Sequence, residues 1–217
     1  MKKFLTYIIF WLLFQFSVKI NCQTIPKQRF EPTVTLFDNK LYVLGGIYST
    51  IPFVYADKEF FYLDVSGPFN TKQLQWVDLS SIDIVPQHAG AASAKGGANN
   101  GTLFLYGGYT PEDDKMSLVY MYNPQSNTWS TPTIANAAGV IRTKEMAGVV
   151  DHNGKMYIFG GWTGPLTASV QNVNDMIIID TVNLSYGKGS SVGAPAPRAV
   201  YGAVLLPDNN IIYFGKW

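Results

Sequence analysis

Four runs of apolar residues, each closed by glycine, punctuate the chain: Leu41–Leu44 before Gly45-Gly46, Leu103–Tyr106 before Gly107-Gly108, Met156–Phe159 before Gly160-Gly161, and Ile211–Phe214 before Gly215. The first glycines stand 62, 53 and 55 residues apart (45 to 107, 107 to 160, 160 to 215). A self-similar period near 50 residues predicts a propeller whose blades are small sheets. Within each run the apolar residues do not alternate with polar ones, so both faces of the strand are expected to be covered by neighbouring blades.

Six residues before each first glycine stands a turn former, Asn39, Gly101, Gly154 or Asn209, in segments that readily adopt the positive φ of tight hairpins. Each apolar run is therefore the second arm of a hairpin. The first arms are expected at Thr33–Phe37, Ala89–Ala94, Met146–Val150 and Tyr201–Leu206. Third strands follow at 60–64, 119–123 and 176–180, each closing on Asp or Asn, and short fourth strands carry Trp76, Trp129 and Tyr186. The glycine pairs are expected to end their strands where a side chain would obstruct the next backbone.

A strand ending in Gly-Gly, a loop, an aromatic strand closing on Asp or Asn, and an aromatic soon after resembles the Kelch repeat. Arg198 and Tyr201 also stand where that family places an arginine and an aromatic before the next hairpin, and Arg142 with Met146 is an imperfect match. The resemblance implies an all-β fold of four-stranded blades around an axis. Repeats fall at about 33–79, 88–131, 145–187 and 199–217, giving three blades and the first hairpin of a fourth, a partial Kelch-type β-propeller. Gly45, Gly46, Gly107, Gly108, Gly160, Gly161, Gly215, Trp76 and Trp129 are its structural motif residues. The unfinished blade implies an open arc that could self-associate or belong to a longer protein.

Composition adds a setting. Met1-Lys2-Lys3 precedes an uncharged apolar stretch, Phe4–Val18, which as a helix would span only about 22 Å, short of the roughly 30 Å hydrocarbon layer. Residues 1–22 read as a secretory signal with cleavage near Cys22, leaving 23–217 as the propeller, with an uncleaved signal anchor as the alternative. Removing Lys2, Lys3 and Lys19 leaves 13 of the 16 basic residues against 15 acidic ones, a charge of −2. That balance points away from nucleic acid, which needs a basic surface. The single cysteine, Cys22, falls at the edge of the signal, so the mature domain is expected to form no internal disulfide. Asn100 and Asn183 head N-x-Ser/Thr glycosylation sequons.

Propeller function resides in loops, and the fold does not name it. The loops after the glycine pairs span 47–57, 109–115 and 162–174. Their aromatics Tyr48, Tyr55, Tyr109 and Trp162 are the candidate ligand-binding residues, able to offer flat faces to a sugar or a partner side chain; Tyr109 and Trp162, directly behind Gly-Gly, also suit packing between blades. The acidic run 112–114 lacks the alternating ligands of a calcium loop and reads as a solvated tip. His88, at the opening of a first strand, and His152, in a turn, have no ligand-spaced companion, so no metal is expected. No nucleophile motif orders Ser, His and Asp. Galactose oxidase and its kin resemble this chain in fold, but their copper site needs a cysteine and a His pair that the mature chain does not supply. The reading is a secreted or cell-surface, non-catalytic module binding protein or carbohydrate, with no cofactor. A fragment of a carbohydrate oxidase or an ectodomain of a membrane protein are the alternatives.

Overall fold

The computed structural model describes residues 24–111, 115–164 and 170–215. The expected leader at 1–22, the acidic run 112–114 and the terminal Lys216-Trp217 lie outside the described residues. Eighteen strands follow in order: β1 (Thr33–Phe37), β2 (Lys40–Leu44), β3 (Ile47–Thr50), β4 (Phe53–Tyr55), β5 (Phe60–Asp64), β6 (Trp76–Asp78), β7 (Ala92–Gly96), β8 (Thr102–Tyr106), β9 (Val119–Asn123), β10 (Thr128–Ser130), β11 (Gly148–Val150), β12 (Lys155–Phe159), β13 (Trp162–Thr163), β14 (Gln171–Asn172), β15 (Met176–Asp180), β16 (Ser185–Lys188), β17 (Tyr201–Leu205) and β18 (Ile211–Gly215). They form three four-stranded antiparallel sheets, β1-β2-β5-β6, β7-β8-β9-β10 and β11-β12-β15-β16, and the hairpin β17-β18. This is the expected all-β partial propeller. First arms lie innermost, with β1 beside β7, β7 beside β11 and β11 beside β17.

The hairpins close as their turn residues dictate. In blade 1 Phe37 pairs with Lys40 across Asp38-Asn39, whose φ values are +46° and +60°, a two-residue turn of the primed kind. The third and fourth repeats place Gly154 and Asn209 in the same left-handed region. In the second it is Asn100 (φ +49°), not Gly101, that turns the chain, because the loop is longer and the asparagine tolerates αL. The acid or amide ending each third strand has a local purpose. Asp64 accepts from the Ser66 amide (2.8 Å), Asn123 from Gln125 (2.9 Å) and Asp180 from Asn183 (2.8 Å), so each initiates the turn to the fourth strand.

Aromatic packing joins the blades. Phe60, fully buried on blade 1, meets Tyr122 at 4.8 Å and Trp129 at 5.2 Å between ring centroids on blade 2. Tyr186 belongs to the core shared by blades 2 and 3, alongside Tyr106 and Met156. Trp76 is only half-buried on blade 1.

Three expectations need correction. Two first arms are shorter than predicted: β7 begins at Ala92 rather than Ala89, and β11 at Gly148 rather than Met146. The residues ahead of them, including His88, are drawn out of the sheet to bond the preceding blade. The stretches 47–57 and 162–174 are not plain loops but carry two-stranded ribbons, β3-β4 and β13-β14. The fourth apolar run is not covered on both faces: Ile212 and Phe214 are 46% and 58% exposed, and β18 pairs only with β17 among the described residues. Gly215 accordingly pairs with Tyr201 within that hairpin and meets no further blade among the described residues.

Candidate functional site

The glycine pairs build the seams on which one face of the arc rests. Gly46 donates its amide to the His88 carbonyl (2.8 Å), Gly108 to Thr143 (2.9 Å) and Gly161 to Arg198 (2.8 Å), so the second glycine of each pair is bonded to the next blade. The first glycine makes room for that approach. A Cβ on Gly45, Gly107 or Gly160 would lie 2.6, 2.4 or 2.5 Å from the same three carbonyl oxygens, and each has a φ between +64° and +71°. One residue further along, Phe30 bridges Ile47, Ala89 bridges Tyr109, and Lys144 bridges Trp162. One residue beyond those, Glu31, Gly90, Glu145 and Val200 all adopt left-handed backbone. Their amides form a ladder around the axis: Val200 donates to Glu145 (2.7 Å), Glu145 to Gly90 (2.8 Å) and Gly90 to Glu31 (3.0 Å).

Glu31 and Glu145 meet across Gly90 at the axial mouth, where a cavity of about 310 Å³ also touches Met146 and Tyr201. One oxygen of each, Glu31 Oε2 and Glu145 Oε1, is buried, and the two carboxyls are hydrogen-bonded to each other. Burial and the neighbouring carboxyl push Glu31 up to about 8, and burial raises Glu145 as well, so the pair holds a proton at neutral pH. His88 is buried in the first seam, with Nδ1 2.8 Å from the Pro86 carbonyl, and burial drives it down to about 4, leaving a neutral ring.

The four aromatics expected to bind ligand are separated in role. Tyr48 is committed to the blade: its hydroxyl donates to Glu59, and its ring lies 5.2 Å from the Arg29 guanidinium and 5.4 Å from the Lys27 ammonium. Burial and the Glu59 carboxylate push its phenol up to about 12. Arg29, whose side chain is only 4% exposed, pairs with Glu59 and donates to the Gly45 carbonyl at 3.1 Å. Tyr109 is buried and fills the seam with Ile47 and Ala89. Trp162 is half-buried and bonded through its backbone to Lys144 at 3.1 and 2.9 Å. Tyr55 packs edge-on against Tyr109 (6.2 Å) and stacks with Phe53 (6.3 Å), at the foot of the β3-β4 ribbon.

That ribbon is the most prominent feature of the face. Its base is fixed by fully buried Ile47 and by Tyr55, whereas its tip presents Ile51, Phe53 and Val54 at 91%, 48% and 42% exposure. The structure thus brings Tyr55 and Tyr109 together, leaves Tyr48 within blade 1 and places Trp162 apart, against Lys144. Sequence reasoning missed Arg29, Glu31, Lys144 and Glu145. Aligning the repeats on their left-handed residues, at 31, 90, 145 and 200, would have exposed the two glutamates, because they occupy one register position. Arg142 falls one residue short of the Arg198 register, which Thr143 occupies; it instead donates to the Gly107 and Met116 carbonyls at 3.3 and 2.5 Å.

Neither sequon asparagine is enclosed. Asn100 is exposed at its turn, and the exposed Asn183 donates its side-chain amide to Asp180 at 2.9 Å. Among the described residues no group of three or more His, Cys, Asp and Glu is placed to hold a metal ion, and no helix is long and apolar enough to cross a membrane.

Known proteins resemble this chain in sequence. Kelch domain-containing protein 3 of Rattus norvegicus and that of Mus musculus are each 27% identical over 117 residues, covering 53% of this chain and 29% of theirs. Acyl-CoA-binding domain-containing protein 6 of Oryza sativa subsp. japonica is 23% identical over 201 residues, 88% of this chain and 28% of its own. The chain spans under a third of the length of these relatives. Residues 31–217 match the family described as the KLHDC2/KLHL20/DRC7 Kelch-repeats domain. With its Gly-Gly seams, Asx-closed third strands and inter-blade aromatics in register, the chain belongs to the Kelch-repeat family.

Proposed function

We propose that this protein is a protein-interaction module that docks its partner on the tip of the β3-β4 ribbon and carries out no catalysis. The observation that supports this reading is an apolar tip on a rigid foot. Ile51, Phe53 and Val54 project into solvent while Ile47 and Tyr55 hold the base, a preorganised apolar contact of the kind that anchors interfaces. The partner surface is correspondingly apolar. Kelch membership supports a protein-binding role, and a carbohydrate platform on the loop aromatics has less support, because Tyr48 is engaged within blade 1 and Tyr109 is buried in the seam. The outward faces of β1 (Val34, Leu36) and of β17-β18 (Val204, Ile212, Phe214) offer a second apolar contact, through which copies of the chain could associate.

The proposed setting is outside the cell or on its surface, on the strength of the Met1–Cys22 pattern, with glycan at Asn100. A reporter fused to residues 1–22 is expected in the medium; retention in the cytosol would refute export. For the interface, a photo-crosslinking residue at position 53 is expected to capture one defined protein, and the same residue at position 192, exposed at 90% but remote in the chain, is not. Equal labelling at the two positions would remove the ribbon from consideration.

A further inference from the structure

The outer edge of β18 is built to receive a strand. In each of the three four-stranded blades the second strand pairs with an antiparallel third: β2 with β5, β8 with β9 and β12 with β15. The glycine after each apolar run joins that ladder, since Gly45 donates to the Glu59 carbonyl (3.4 Å), Gly107 to Leu118 (3.1 Å) and Gly160 to Asp175 (2.8 Å). Backbone groups alternate along a strand, so every second residue back from the glycine faces the same way. In the fourth repeat Leu206 donates to the Asn210 carbonyl at 2.8 Å, which turns Ile212 and Phe214 toward β17 and leaves the backbone groups of Ile211, Tyr213 and Gly215 on the opposite edge. Among the described residues no strand pairs with that edge, and none of the three residues is buried.

Blade 3 presents an apolar floor beside this edge. Tyr157 and Met176 hold the register positions of Tyr42 and Phe60 in blade 1, because Tyr157 pairs with Ile178 as Tyr42 does with Tyr62, and Phe159 with Met176 as Leu44 does with Phe60. In blade 1 both positions are buried beneath the third strand of the next blade, whose Tyr122 ring lies 5.7 Å from Tyr42 and 4.8 Å from Phe60. Their blade 2 counterparts, Phe104 and Val119, are buried in one core with Ile179 of the third strand of blade 3. Tyr157 and Met176 themselves are only half-buried, and both line a cavity of about 440 Å³ that also reaches Ile211 and Tyr213. The Tyr213 hydroxyl joins edge to floor, 3.9 Å from the Met176 sulfur.

We propose that β18 takes up an extended segment of a partner protein as an added antiparallel strand, with apolar or aromatic residues two positions apart and one of them seated over Tyr157 and Met176. The chain itself states the chemistry of such an occupant. Tyr120 and Tyr122 in blade 2, and Ile177 and Ile179 in blade 3, each form a pair of this spacing turned toward the preceding blade. Main-chain bonds to Ile211, Tyr213 and Gly215 supply affinity, and the apolar pair sets register and specificity. The β18 of a second copy does not fit the position. Two hairpins paired edge to edge about a two-fold axis would bring both copies of blade 3 to the same face of the joint sheet, where β15 and β16 already lie behind the added strand. This edge is separate from the β3-β4 ribbon, and the inference does not rest on the partner proposed for the ribbon tip.

The probe is a synthetic peptide copying residues 117–123, the third strand of blade 2, with a fluorophore and two lysines appended for detection and solubility. Titrated against the full chain and followed by fluorescence anisotropy, it is expected to bind saturably. In blade 2 the Gly107 to Leu118 bond sets the alternation, so Tyr120 and Tyr122 turn their backbone groups toward β8, and Val119 and Met121 turn theirs away. N-methylation of the peptide at the two tyrosine positions should therefore weaken binding about tenfold or more, and at the valine and methionine positions less than about threefold. All of this uses the native protein, so no variant has to fold. Amide exchange locates the contact: Ile211, Tyr213 and Gly215 should exchange rapidly in the chain alone and become protected with the peptide bound. Absence of binding, or equal loss from the two methylation patterns, overturns the proposal. So does protection that changes at Leu103 and Leu105 instead, which would mean that the peptide had exchanged for β9, or at Ile51 and Phe53, which would place it on the ribbon. Slow exchange of the three edge amides in the chain alone would show the edge already covered by another copy, and would overturn it equally.

Discussion

Replacing Gly160 by alanine isolates the inter-blade seam. The position has φ +66°, and an added Cβ would lie 2.5 Å from the Arg198 carbonyl oxygen and 2.8 Å from that of Val173, both backbone atoms that cannot rotate aside. Holding alanine in the left-handed region costs about 1 kcal/mol. Relieving the contacts needs a shift of several tenths of an ångström, enough to stretch the neighbouring Gly161 to Arg198 bond, whose loss adds about 1 kcal/mol, and the displaced seam packing adds a comparable amount. The sum is about 2–4 kcal/mol, or a fall of about 5–15 °C in melting temperature for a domain of this size. Two companions separate the causes. Gly139 has φ +79° with nothing within 4 Å of the added Cβ, so Gly139→Ala reports the backbone cost alone. Gly101 has open space and no left-handed φ, so Gly101→Ala is expected to be neutral or slightly stabilising. Thermal melts followed by circular dichroism should rank them Gly160, Gly139, Gly101 in order of decreasing damage. If Gly160→Ala melts within a degree or so of Gly139→Ala, the clash with the next blade contributes nothing and the seam reasoning fails.

The axial carboxyl pair makes stability depend on pH. Glu31 is raised from 4.5 to about 8 in the folded chain, so the folded state keeps a proton that the unfolded chain releases; stability is therefore greatest below about 4.5 and declines as pH rises toward 8. The interval from 6.5 to 8 is diagnostic, because buried Asp83 titrates near 6 and His88, moved down from 6.5 to about 4, below 6.5. Melting temperature should fall across that interval in the native protein and stay level in the Glu31→Gln, Glu145→Gln double variant, which removes both buried carboxyls; a parallel fall in the variant would locate the dependence elsewhere. Arg29→Gln leaves Glu59 without its cation and the Gly45 carbonyl without its donor, and urea titration should show a loss of about 2–4 kcal/mol. A change under about 0.5 kcal/mol, the size expected of an ordinary surface residue, would mean that the network contributes little.

The blades were legible because each signal is local and repeats. Turn formers, apolar second arms and aromatic third strands specify their own hairpins, and β5, β9 and β15 occupy the residues expected of them. What the linear pattern could not display was the use made of residues between strands. His88 looks like a strand opening in sequence and Thr143 lies ahead of the expected third repeat, yet their carbonyls receive the preceding blade's glycine amide, an interaction spanning about 40 residues that no local propensity encodes. The ribbons were hidden for a related reason: β13 and β14 are two residues each and carry no alternating pattern. Among the candidate ligand aromatics, spacing from Gly-Gly identified the seam position of Tyr109 correctly, but nothing in Tyr48 announced the cations of Lys27 and Arg29 over its ring. The carboxyl pair escaped because its members lie in the first and third repeats, with Gly90 holding the place between them.

Hydrogen–deuterium exchange on the full chain, resolved to single amides, tests the central claim that the glycine pairs clamp blade to blade while the ribbon tip is left available for binding. The seam amides of Gly46, Gly108 and Gly161 and the ladder amides of Gly90, Glu145 and Val200 should exchange slowest, with free energies approaching that of global unfolding, and Ile51, Phe53 and Val54 should exchange orders of magnitude faster. Seam amides that exchange as fast as those at the ribbon tip would contradict it.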